Sequence, residues 1–135
     1  MNKSIPTILL AGVSVLIVSL ALLYGLIYLA PALMEEYYNP VFRSSAFKTD
    51  WLFYVHPFVL SAALYWFWGK GTWQGSSLSK AITAGVTYGV VGMVPVLFLT
   101  FSAIDISALM VITWFVYGVA QAVVACYVFA ARESK

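Results

Sequence analysis

Residues 8–33 read ILLAGVSVLIVSLALLYGLIYLAPAL, an apolar stretch without one ionisable side chain. About 18 or more apolar residues are enough for a helix to cross a bilayer, whereas an open strand would leave backbone groups unpaired in lipid. Three similar stretches follow at residues 51–68, 81–101 and 108–131, and His56 is the only ionisable residue within them. With 63% hydrophobic and 9% charged residues in a chain of 135, no room is left for a soluble domain. The sequence predicts one all-α polytopic membrane domain with four spans.

The charged residues predict the orientation of these spans. With four spans, both termini and the middle loop share one side of the membrane. That side carries five basic residues and one acid: Lys3, Lys70, Lys80, Arg132, Lys135 and Glu133. The other side carries two bases and four acids: Arg43, Lys48, Glu35, Glu36, Asp50 and Asp105. Because basic residues favour the cytoplasmic side, we expect a left-handed up-down-up-down bundle with cytoplasmic termini. The scattered basic residues indicate no nucleic-acid partner.

A secretory signal is the rival interpretation of the first stretch, because Ala30-Pro31-Ala32 imitates an A-x-A cleavage site. The apolar run before it is longer than the roughly 7–15 residues of a signal core, which favours a retained helix.

Two prolines predict irregular helix geometry. Pro57 follows His56, and a residue before proline avoids helical angles, so the second helix begins at Pro57 or carries it in its first turn. Pro95 lies inside the third span and cannot donate to the Val91 carbonyl, which predicts a kink that can act as a hinge.

Small residues at helical spacing predict close packing between the helices. Membrane helices associate through small residues that allow the backbones to approach. The candidate packing residues are Gly85, Gly89 and Gly92 in the third span and Gly118 and Ala122 in the fourth, with Ala21 and Gly25 as a similar pair in the first. This pattern indicates packing within one bundle or, as the alternative, between copies of the chain.

His56 is the first candidate for a polar site, since ionisable residues at membrane depth are functional candidates by default. Its candidate companions on the outer side are Glu35, Glu36, Asp50 and Asp105. A histidine with one or two carboxylates can relay protons or bind a divalent metal, while a structural interpretation makes His56 an interfacial residue bonded to a carbonyl or water.

The remaining chemistry-bearing residues are few. One histidine excludes bis-histidine haem within a single chain, and Cys126 has no second cysteine for a disulfide or a thiolate cluster. The sequence has no phosphate-binding glycine loop and no serine–histidine–aspartate set. The first span lacks the central glutamate of small four-helix drug exporters. We therefore expect no cofactor, no metal and no catalytic residue that the sequence can identify.

The segment Tyr37-Tyr38-Asn39-Pro40-Val41-Phe42 resembles a Trp-Tyr-Ser-Pro-Leu-Phe-like segment that follows the first helix in a group of uncharacterised small bacterial membrane proteins. Tyr37 stands for Trp, Asn39 for Ser and Val41 for Leu. Length, span count and the position of the segment are also similar. The resemblance implies a four-span bundle of the bacterial inner membrane and adds no catalytic residue.

Three functions are compatible with this sequence. The first is an accessory or assembly subunit that packs in the lipid bilayer on a larger membrane complex or on its own copies. The second is a carrier of a small solute, ion or proton, with His56 in an outer vestibule. The third is an interfacial enzyme acting on lipid or quinone.

Overall fold

The computed structural model describes residues 4–42 and 50–133, which are helical apart from short connections and contain no strand. The elements are α1 (Ser4–Leu29), α2 (Pro31–Glu35), a 3₁₀ turn (Glu36–Tyr38), α3 (Trp51–Trp68), α4 (Ser77–Tyr88), a π-helical segment (Gly89–Met93), α5 (Val94–Ala103) and α6 (Ala108–Glu133). The predicted all-α class is confirmed.

Three helices are long and apolar enough to cross a membrane: Ser4–Leu29, the continuous helix Ser77–Ala103, and Ala108–Glu133. Large apolar side chains stand exposed on each, such as Ile17 at 62% and Leu99 at 68% exposure, which suits lipid rather than water. The 18 residues of α3 meet the length requirement, but its tryptophans, tyrosines, His56 and Pro57 make it less apolar. Membrane-compatible helices are thus confirmed for three of the four predicted spans.

Helix α6 is the centre of the packing, because it contacts α1, α3 and α4, while α1 also contacts α3. The contacts pair α1 with α3 in opposite order: Tyr65 bonds to Ser4, and Phe58 lies against Gly12. Trp68 of α3 reaches Glu133 of α6. Ser4, the turn 69–76 and Glu133 therefore lie together at what we call the terminal end.

The opposite end, which we call the elbow end, is formed by residues 30–42 and the turn 104–107. Here α1 ends at Leu29, earlier than the expected residue 33, because Ala30 leaves helical geometry (φ −139°, ψ 60°) before Pro31. A residue preceding proline is disfavoured in the α region, so the break is encoded locally. α2 and the 3₁₀ turn then fold back over α6.

Pro57 does not begin the second helix. α3 starts at Trp51 and Pro57 lies inside it, on the buried face, so the expectation that the helix begins at Pro57, or carries it in the first turn, is wrong. The six preceding residues stay helical, although Pro57 has no N–H to donate to the Phe53 carbonyl.

The predicted irregularity near Pro95 takes the form of a π-helical segment. The chain stays helical from Ser77 to Ala103, but the Val94 N–H bonds to the Gly89 carbonyl five residues earlier. Proline at position i cannot accommodate the carbonyl at i−4 within a regular α-turn. The wider turn is a common way of relieving such a conflict inside a helix.

Candidate functional site

A polar contact is buried between α1 and α6. Gln121 Nε2 donates to Ser19 Oγ at 2.7 Å, and Ser19 Oγ donates to the Val15 carbonyl at 2.7 Å. The Tyr117 hydroxyl donates to the Ser19 carbonyl at 3.2 Å. Ser19 and Gln121 are 1% and 3% exposed. Polar groups buried at this depth need partners, since no water can replace them, and this set supplies them internally and fixes the register of the two helices.

The elbow is attached to α6 by an apolar and aromatic cluster. Leu33 packs with Ile106 and Met110. Tyr37, Phe42 and Trp114 lie in mutual ring contact with centroids 5.2 to 6.5 Å apart.

Two hydrogen bonds explain why residues 37–42 turn back and pack against α6. Asn39 Oδ1 accepts from the Val41 N–H at 3.1 Å, which makes the turn that returns Phe42 to α6. Trp114 Nε1 donates to the Tyr37 hydroxyl at 2.7 Å. Residues 37–42, on which the resemblance rests, therefore attach the elbow to α6.

Glu36 is engaged at the start of α6. Its Oε2 accepts from the Ser107 N–H at 3.1 Å, and Ser107 Oγ accepts from the Met110 N–H at 3.1 Å. A carboxylate and a hydroxyl at a helix N-terminus satisfy orphan N–H groups and complement the helix dipole. Glu36, predicted as a vestibule residue, lies where it caps a helix.

His56 lies on the outward side of α3, is exposed, and makes no hydrogen bond with another described residue. It stands twelve residues before Trp68, or about 18 Å along the helix. Because Phe58 lies against Gly12, His56 is level with the middle of α1. The remainder of α1 extends roughly 20 Å further to the elbow.

The four residues of the predicted vestibule are consequently not gathered in one place. Glu35, Glu36 and Asp105 belong to the elbow end, far along the bundle axis from His56. Glu35 and Asp105 are exposed, and within residues 4–42 and 50–133 no group of three His, Cys, Asp or Glu side chains could hold a metal ion. The vestibule remains a prediction without a geometric counterpart in these residues.

The glycines of the third span are placed against α6. A Cβ at Gly85 would lie 2.9 Å from the Val123 backbone nitrogen, and one at Gly89 would lie 2.5 Å from Val119 Cγ2. Gly118 lies under Met93, and Ala122 is fully buried. Gly92 differs, because a Cβ there would lie 3.3 Å from the ring of Tyr88, which belongs to the preceding turn of the same helix.

Gly25 contrasts with these positions, since a Cβ there would meet nothing within 4 Å. With the exposed Ala21 one turn earlier, it leaves a small-residue surface of α1 uncovered. The sequence pattern alone could not distinguish this pair from the glycines that pack inside the chain.

At the terminal end, aromatic side chains join α3 to the end of α6. Trp68 Nε1 donates to Glu133 Oε1 at 2.6 Å, and Trp73 Nε1 donates to the Trp68 carbonyl at 2.9 Å. The Trp68 and Trp73 rings stack with centroids 5.6 Å apart. Phe129 meets the Trp68 ring edge-on. This cluster closes the end that carries both described termini.

Ser19 and Trp114 are the important residues that sequence reasoning missed. Serine at position 19 carries no signal of its own in an apolar run, although its distance from the terminal end of its helix is similar to that of Gln121. In the sequence Trp114 is one more apolar residue of the fourth span, and its role is visible only when the elbow packs against it.

Comparisons with protein-family models, curated proteins and solved structures find no match for this chain.

Proposed function

We propose that this protein is a four-span integral membrane protein of the bacterial inner membrane, with both termini in the cytoplasm, that acts as an accessory or assembly subunit. The bacterial assignment rests on the resemblance carried by Tyr37–Phe42. The partner is a larger membrane complex or further copies of this chain.

The orientation is supported by how charge is distributed between the two ends of the molecule. Lys70, Lys80 and Arg132 belong to the terminal end, whereas Glu35, Glu36 and Asp105 belong to the elbow end. The positive-inside rule then assigns the terminal end to the cytoplasm. α3 serves as the remaining span, since its 18 residues cover about 27 Å of a hydrocarbon layer of about 30 Å.

The exposed His56 carries the proposal of a partner. An imidazole near mid-depth that faces lipid leaves its nitrogen atoms without hydrogen-bond partners, which is costly. The buried polar groups around Ser19, by contrast, bond to one another within the chain. A partner helix that covers α3 and bonds to His56 removes this cost.

The partner surface that we assign differs from the glycine face that the alternative interpretation, packing between copies, would use. Gly85 and Gly89 are covered by α6, so substitutions there would damage the bundle before they affected a partner. The outward side of α3, with His56 and the 61% exposed Val59, is the surface that we assign to the partner.

The alternative function, a carrier of a small solute, ion or proton, would use His56 without Glu35, Glu36 and Asp105 beside it. The separation of His56 from the elbow end weighs against the vestibule that this function requires. An interfacial enzyme has less support, because its catalytic groups would have to come from His56 and the carboxylates that lie far from it.

Affinity isolation in a mild detergent, followed by native mass determination, tests the proposal. We expect a stoichiometric membrane partner or a defined homo-oligomer. Val59→Trp should reduce the retained partner by about tenfold, or about 1.4 kcal/mol, because the indole would separate the two surfaces. His56→Leu should reduce it too.

Val116→Trp is the matched control, since Val116 is 58% exposed and lies on α6 rather than on α3. A folded monomer that retains no partner would refute the accessory function. Proteoliposome flux with His56→Ala would then decide for or against transport. Equal loss of partner in both tryptophan variants would place the contact elsewhere than α3.

A further inference from the structure

The third long helix separates from α6 beyond the π-helical segment. Gly85 of α4 and Gly89, the first residue of the π-helical segment, lie against Val123 and Val119 of α6. The Met93 side chain then lies over Gly118 and acts as a wedge, since a Cβ at Gly118 would collide with it. α5 continues from Val94 away from α6, so the two helices are close at one end and apart at the other.

An open apolar groove of about 300 Å³ fills this separation. Its two walls are α5 and α6, and no polar surface lines it. The lining residues are Val94, Leu97, Phe98 and Phe101 of α5 and Ala108, Val111, Ile112 and Phe115 of α6. The groove follows the helix axes for about 10 Å on each wall, from the first of these residues to the last.

The size of the lining side chains favours a slender occupant. Membrane helices approach one another through small residues, and Ala108 is the only small residue in this lining. The volume lies at the lower limit of the roughly 300–1,000 Å³ of ligand pockets, which suits an unbranched chain better than a helix or a ring system.

The charge at the mouth of the groove indicates which chain-bearing molecule fits. The turn 104–107 joins the two walls and contains Asp105, which is exposed and has no hydrogen bond or ion pair with another described residue. This turn lies at the elbow end, at headgroup level in the proposed membrane placement. A cationic headgroup at the turn is complementary to the carboxylate, with its chain running along the groove.

We propose that this groove holds one acyl chain of a phospholipid whose ammonium headgroup lies beside Asp105, as in phosphatidylethanolamine. The inference rests on the proposed membrane placement but not on the partner at α3. Because an exposed ion pair is weak, we expect only about a two- to threefold preference over an anionic lipid. The acyl chain fills the space that the π-helical segment opens.

Photo-crosslinking tests the groove directly. The full chain is reconstituted in vesicles of equal parts phosphatidylethanolamine and phosphatidylglycerol, with a trace of either lipid bearing a diazirine in its acyl chain, and labelled peptides are mapped by mass spectrometry. We expect labelling to concentrate on residues 94–101 and 108–115. Ile112→Trp should fill the groove and reduce this labelling about fivefold or more.

Leu109→Trp is the matched control, because Leu109 is 60% and Ile112 58% exposed, and Leu109 does not line the groove. For the headgroup, Asp105→Asn should abolish the preference for phosphatidylethanolamine, while Asp50→Asn, an exposed acid outside the groove, should leave it intact. These readouts do not change if the α3 partner is absent.

Two results would overturn the assignment of an acyl chain to the groove, and a third would overturn the headgroup assignment. Even labelling of all lipid-facing helices would show ordinary annular lipid. A groove protected from labelling, together with concentration-dependent energy transfer between labelled copies, would show that protein covers it. Unchanged preference in Asp105→Asn would remove the headgroup assignment.

Discussion

Gln121 of α6 donates a 2.7 Å hydrogen bond to Ser19 of α1, and both side chains are almost fully buried. This bond fixes the height of one helix against the other in a core made mainly of alanine and larger apolar side chains, with Thr7 and Ser61 as the other buried polar residues. Helices that slide past each other by one turn would leave the buried Gln121 amide without this acceptor, whereas Ser19 would keep its bond to the Val15 carbonyl of its own helix. Specific register in this bundle therefore depends on a few polar atoms.

Breaking this contact should destabilise the bundle measurably. We expect Gln121→Leu to lower the free energy of unfolding by about 1 kcal/mol, since hydrogen bonds between membrane helices average about 0.6 and reach about 1.7 kcal/mol. Unfolding in mixed micelles of mild detergent and dodecyl sulfate measures it. In a double-mutant cycle with Ser19→Ala, additivity of the two losses would show that the side chains do not couple.

Thr87→Ala provides the control for that cycle. The Thr87 hydroxyl bonds to the Thr83 carbonyl of its own helix. Its removal should change the free energy of unfolding very little.

Gly85→Ala and Gly25→Ala should have opposite effects. An added methyl group at Gly85 meets the Val123 backbone, and overpacking of this kind costs about 1–3 kcal/mol. Gly25 has open space beside it, so alanine there should stabilise the helix by up to about 1 kcal/mol. The same detergent titration compares the two. Equal effects would mean that α4 and α6 are not in the close contact described.

Tyr37→Phe should loosen the elbow while Tyr38→Phe should not. Trp114 loses its hydrogen-bond acceptor in the first variant, which should cost about 1 kcal/mol. Tyr38 is 88% exposed and serves as a neighbouring control with the same chemical change. Limited proteolysis within the elbow reports the difference. Identical cleavage rates would contradict the docking of the elbow on α6.

Glu36→Ala should fray the first turn of α6. The variant removes an acceptor and a negative charge from a helix N-terminus, with an expected cost of about 0.5–2 kcal/mol. Hydrogen exchange at the Ser107 amide should accelerate because its acceptor is lost. Glu35→Ala, which alters the exposed neighbouring acid, is the control and should leave that amide protected.

The sequence predicts the helices well because the bilayer allows few alternatives. Uninterrupted apolar runs forecast α1 and α6, and α3 occupies the residues expected for the second span. The sequence does not predict the conformation of the elbow, because that conformation depends on contacts with Trp114, which is distant in the chain. Pro57 shows the limit of local rules, because burial of α3 against α1 and α6 outweighs one missing hydrogen bond.

Whether a small residue contacts another helix depends on the direction in which its side of the helix points. That direction is determined by the packing of all the helices together. Gly25 and Gly85 look alike in the sequence, yet one is uncovered and the other touches a neighbouring backbone. His56 can likewise be recognised in the sequence as an ionisable residue within an apolar stretch. Its distance from Glu35 and Asp105, however, follows from the short length of α3 relative to α1. Neither fact can be obtained from spacing along one helix.

The central position of α6 has a consequence for biogenesis. During synthesis α1, α3 and α4 leave the ribosome before α6, and of these only α1 and α3 contact each other extensively. In the proposed membrane placement, the nascent chain thus enters the bilayer with a side of each early helix uncovered, including the side of α1 that carries Ser19. Until the last helix arrives, these sides of α1, α3 and α4 lack their final contacts, and we expect a chain truncated before residue 121 to hold the three helices together less tightly than the full chain does.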